Sequence, residues 1–147
     1  MASFKLYATI ESGEVHQSAL IGTAAQGIVD NDIGKLVKLA AADNFILCST
    51  GDEIEGQISA LQPETYNSGF AFGSVKRGGT LEAMVSSDQV GALAPGDLVV
   101  AGVQAAVGTK DTYPKVKGGS PTNFKWRVLT IQSGTGVAGD RVLLEKI

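Results

Sequence analysis

A chain of 147 residues with 44% hydrophobic side chains and a mean hydropathy of +0.13 is long enough to bury its own core and too apolar to remain disordered. One Cys and one His exclude an intrachain disulfide and leave little for a zinc centre or a His-based catalytic machine. A net charge of −3 argues against a general polyanion binder, and no run approaches the roughly 18 apolar residues that cross a membrane.

In chain order, Phe4, Leu6, Ala8 and Ile10 alternate with polar neighbours, which predicts a half-buried strand. This opening lacks the basic and long apolar regions of a signal peptide, so synthesis in the cytosol is expected. Residues 11–34 are small and polar, broken by Gly13, Gly22, Gly27 and Gly34, and predict an extended arm with a short strand near Ala19–Thr23. Lys35–Leu39 and Phe45–Cys48 read as paired strands about a turn at Asp43-Asn44, and Glu53–Leu61 alternates again. Phe70–Lys76 and Thr80–Val85 look like a hairpin across Arg77-Gly78-Gly79. One helical turn is expected within Ser86–Ala94, then strands at Asp97–Val100 and Gln104–Val107. Residues 108–123, with Pro114, Gly118, Gly119 and Pro121, predict a long loop before strands at Phe124–Thr130 and Val142–Lys146.

Short strands without a long amphipathic helix define an all-β chain, a single domain over 1–147. A β-sandwich or jelly-roll-like form is expected, with a small β-barrel as the alternative. Gly-led cassettes open strands at Gly34, Gly51, Gly96 and Gly139. Their uneven spacing and unmatched intervening residues argue for shared turn chemistry rather than a repeat. Charge is uneven too. Residues 1–64 hold nine acids against three bases, and 65–147 hold nine bases against six acids. Such a split can order subunits side by side or be scattered by the fold.

No motif names a reaction. Gly134-Thr135-Gly136-Val137-Ala138-Gly139 fits the dinucleotide fingerprint by letter, but only eight residues follow, too few for its helix and second strand. Asp52, Glu53 and Glu55 read as a solvated face, Cys48 as a buried thiol, and His16 as a surface imidazole. Lys125 and Arg127 flank Trp126 on one strand and point away from it, which weakens a single-strand nucleic-acid groove. The expectation is no enzyme, no cofactor, no metal, no nucleic acid and no membrane.

The order Gly34-Lys35-Leu36-Val37-Lys38-Leu39, Leu47–Gly56, Gly73–Gly79 and Leu93–Val100 resembles small bacteriophage capsid decoration (cement) proteins over residues 27–101. The resemblance implies a β-rich structural protein made in the host cytoplasm and carried on the virion, on the capsid exterior. Its partners would be the major capsid protein and itself, as dimers or trimers. Under that reading the contact elements are the N-terminal strand and arm (Phe4, Tyr7, Glu11, His16) and the long loop (Lys110, Tyr113, Lys115, Lys117). Tyr113 would anchor on the partner and the lysines would meet its acids. The alternatives are another virion part (tail-tube, head-completion or fibre-associated), then a ligand- or glycan-binding β-sandwich.

Overall fold

The computed structural model describes residues 15–22, 27–40, 44–62 and 71–147. The predicted strand over Phe4–Glu11 lies outside them. Ten strands follow in order: β1 (His16–Ile21), β2 (Leu36–Leu39), β3 (Phe45–Leu47), β4 (Gly56–Leu61), β5 (Ala71–Lys76), β6 (Thr80–Val85), β7 (Leu98–Ala101), β8 (Lys115–Gly118), β9 (Trp126–Ile131) and β10 (Arg141–Lys146). The only helical element among the described residues is a single 3-10 turn, Asp30–Asp32. The chain is therefore all-β, and the small barrel, rather than a sandwich or jelly roll, is the form its sheets take.

There are two barrels. The first closes in the order β1-β3-β2-β4-β5, and the second in the order β10-β6-β8-β7-β9. The predicted pair of β2 and β3 forms. The predicted β5–β6 hairpin does not: β5 completes the first barrel on β1 and β4, whereas β6 begins the second on β10 and β8. Three residues, Arg77-Gly78-Gly79, carry the chain between barrels instead of folding it back. Three further expectations fail locally, the first being the helical turn within Ser86–Ala94, where the chain makes turns but no helix. Gln104–Val107 is not a strand, and β8 lies inside the segment expected to be a loop over 108–123. The sequence there is short and flanked by Pro and Gly, so its strand character comes from pairing with β6 and β7.

The two barrels repeat one another in topology and register. Each has one parallel pairing, β1 with β3 and β6 with β8, and every other pairing is antiparallel. Ile21 pairs with Phe45 as Val85 pairs with Val116, and Leu36 pairs with Gln57 as Leu98 pairs with Arg127. The β4–β5 ladder slips at Ser59, and the β9–β10 ladder slips at the equivalent residue Leu129. Even the lead-in turns match. Gly34 and Gly96 both hold positive φ, at 98° and 94°, and donate their N–H to the carbonyls of Ile58 and Val128. A repeat is thus present, with Gly34 and Gly96 as equivalents. Gly51 and Gly139 sit in other turns, so cassette spacing alone could not expose it. The main departure is the β7–β8 connection, residues 102–114, where the first barrel needs only 40–44.

Each barrel has a core. Ile21, Val37, Phe45, Ile58 and Val75 fill the first, with Ile28 and Ala71. Trp126, Val128, Val142, Leu144, Val99, Val85 and Leu81 fill the second. Leu36, Cys48 and Ile54, from the first half of the chain, pack into the second core, so the barrels share buried apolar surface. The acidic half of the sequence supplies β1 to β4 of the first barrel, and the basic half supplies β5 and the whole second barrel.

Candidate interaction surfaces

A buried ion pair crosses the joint between barrels through two contacts, to Gly108 and Ala106. Asp32, fully buried, accepts the Val29 N–H at 3.0 Å and the Gly108 N–H at 2.8 Å. Lys35, also buried, donates to Asp32 Oδ1 and to the Ala106 carbonyl, both at 2.6 Å. The pair is thus satisfied from both barrels, which is what a buried ion pair requires. Glu53 reaches across in the other direction. Its carboxylate accepts the N–H groups of Thr122, Asn123 and Phe124 at 3.2, 2.9 and 2.8 Å, plus the Thr122 hydroxyl at 3.0 Å. These donors, the Phe124 amide foremost, hold the Glu53 pKa down to about 2. Glu53 is therefore a latch rather than part of a solvated face.

Arg77, in the linker itself, stacks over Phe124 at 4.8 Å and Phe45 at 5.5 Å. It also donates to the Glu55 carbonyl at 3.3 Å and to Gln17 Oε1 at 3.1 Å. The buried Trp126 indole donates to the Ile54 carbonyl at 3.1 Å. Beside the joint, Cys48 is buried in apolar surroundings, and burial, then the charge of Asp52, pushes its pKa up to about 12. That thiol is inert at neutral pH.

The predicted contact residues separate. Phe4, Tyr7 and Glu11 lie outside the described residues. His16 is exposed on β1 of the first barrel, its Nδ1 3.3 Å from Ser59 Oγ. Lys110, Tyr113 and Lys115 come together on the second barrel, beside a cleft of about 510 Å³ between the barrels. Lys115 is paired with Asp111 at 2.7 Å, and Lys117, further along β8, with Asp88 at 2.8 Å. The Tyr113 hydroxyl accepts from Arg141 Nη1 at 3.2 Å, with the guanidinium 5.7 Å from its ring centre. Lys110 alone of the three lysines is exposed and has no acid partner among the described residues. Replacing the other three residues would remove contacts the fold itself uses.

One surface went unnoticed in the sequence. At one end of the second barrel the β6–β7 and β9–β10 connections meet, and residues 89–96 and 132–139 contain no charged side chain. Val90 is 93% exposed and Val137 43%. The turns beneath them are firmly tied. Leu93 donates to the Gly136 carbonyl at 2.9 Å, and Asp140 Oδ2 accepts the N–H groups of Thr135, Gly136 and Val137. Asp97 accepts the Ala94 N–H at 2.8 Å. The charge-free spacing was legible, but only the structure brings the two runs side by side.

Among the described residues no three His, Cys, Asp or Glu side chains converge as metal ligands would, and no helix is long and apolar enough to cross a membrane. Comparison with known protein families, curated proteins and solved structures finds no match.

Proposed function

We propose that the chain is a capsid decoration protein that binds the outside of an icosahedral phage head and braces neighbouring major capsid subunits. The observation that carries this reading is the turn-tied end of the second barrel, where residues 89–96 and 132–139 carry no charged side chain and Val90 is fully presented to solvent. An apolar patch on a turn-tied frame suits protein contact, because little side-chain or loop ordering opposes binding. The locked joint supports the same reading: a brace has to transmit load between its ends without bending. The resemblance over residues 27–101 names the shell as the partner, and self-association into dimers or trimers would multiply weak contacts.

The test is the copy number of this chain in purified particles, by quantitative mass spectrometry against the shell protein. A simple ratio to the shell subunit is expected. A small ring-like number would favour a tail or head-completion part, and absence from particles would sink the virion reading.

A further inference from the structure

Two barrels with one register make any departure from the repeat informative. The longest departure, residues 102–114, forms a wall of the cleft lined by Thr80, Glu82, Lys110, Tyr113 and Pro114. The opposite side of that cleft is the edge of β6. In the β6–β10 ladder the odd-numbered residues of β6 make the hydrogen bonds, since Val85 N–H donates to the Asp140 carbonyl and the Gly79 carbonyl accepts from Lys146. Alternation then turns the N–H and C=O groups of the even-numbered residues toward β8. Met84 N–H duly donates to the Pro114 carbonyl at 2.9 Å, and Ser86 N–H to the Val116 carbonyl at 2.7 Å.

The next acceptor along this edge is the Glu82 carbonyl, and the residue placed to serve it is Pro114, which has no N–H. The parallel ladder stops there, at Met84–Lys115. Main-chain N–H and C=O groups of Glu82 and Thr80 are left facing the cleft without a ladder partner.

We propose that this cleft receives an extended peptide segment of a protein partner, hydrogen-bonded main chain to main chain along the β6 edge. Donors and acceptors spaced along a strand recognise another backbone in register. A volume of about 510 Å³ holds a short segment and no folded element. Lys110 specifies the charge. It is exposed at the rim, and neighbouring Asp111 is already held by Lys115. Lys76 adds a second cation to the lining against the carboxylate of Glu82, so the segment carries an acidic side chain at the Lys110 end. The Tyr113 ring, held by Arg141, gives the segment an apolar wall. The inference does not rest on the capsid reading, because any partner with such a segment satisfies it.

The test selects a displayed library of short random peptides on the full chain and follows the binders by amide hydrogen exchange and titration. Selected peptides should be rich in Asp or Glu and should slow exchange at Glu82 and Thr80. Binding should weaken about tenfold in Glu82→Pro, which removes an N–H that the fold does not use. Should that variant fail to fold, Thr112→Trp, filling the cleft from its exposed rim, serves instead. Lys110→Glu should abolish the preference for acidic peptides. A library without binders overturns the proposal, as do binders that protect other amides or bind both cleft variants as they bind wild type.

Discussion

Asp32 and Lys35 are three residues apart, and both reach the same loop of the second barrel, at Gly108 and Ala106. Removing one partner strands the other charge in a buried site, so Asp32→Ala should destabilise the fold by about 3–5 kcal/mol in urea titration. Glu53 acts differently, because its carboxylate is held by backbone donors at a more open site. Its pKa falls from an ordinary 4.5 to about 2 on folding, so the unfolded chain binds the proton more tightly. The latch therefore contributes fully above about pH 4.5 and is lost as pH falls through 2. The stability gap between wild type and Glu53→Gln should accordingly shrink between pH 6 and pH 2. A gap constant over that range would show that the carboxylate charge is not what the loop grips.

Among elements, the strands themselves were legible because period-two alternation and Gly-Asp turns report local structure. Eight strands, β2 to β7 with β9 and β10, fall where the sequence pattern placed them. The missed β8 and the wrongly joined β5 and β6 share one cause: partner choice is non-local, and Arg77-Gly78-Gly79 carries no mark of whether it reverses the chain or passes it on. The repeat was hidden by how the barrels are filled. Gly56 and Trp126 occupy the same position, on strands paired alike to β2 and β7. A fully buried indole and a bare backbone share no sequence signal. Trp126→Ala should cost about 3–5 kcal/mol, measured by thermal or chemical unfolding, since it empties the second core and strands the Ile54 carbonyl. Of the contact residues proposed from sequence, Lys110 and Tyr113 do flank a cleft, but the β6 edge depends on a missing N–H that only the register makes visible.

For the molecule as a whole, the shared core sets the unit of cooperativity. Leu36, Cys48 and Ile54 leave the second core if the first barrel opens, and the linker is pinned by Arg77 on both sides. Calorimetry should therefore show one transition with matching calorimetric and van't Hoff enthalpies, and two resolved peaks would mean that the joint is weaker than its contacts imply. The exposed end of the second barrel bears on binding, not on folding. Val90→Asp should leave the melting temperature within a degree or so of wild type, because surface substitutions of this kind rarely matter to stability. The same change should lower occupancy on purified shells, and unchanged occupancy would remove this end as the shell contact.

The pairing of Gly56 with Trp126 also bears on how the chain avoids misassembly. A duplicated fold with one register invites strand exchange, in which a piece of one half completes the other during folding. Any side chain at residue 56 would press into Val75 and the Lys76 carbonyl. An indole delivered there by a stray β9 would be rejected outright, while a stray β4 would leave the second barrel hollow. This unequal pair thus proofreads which strand belongs to which half.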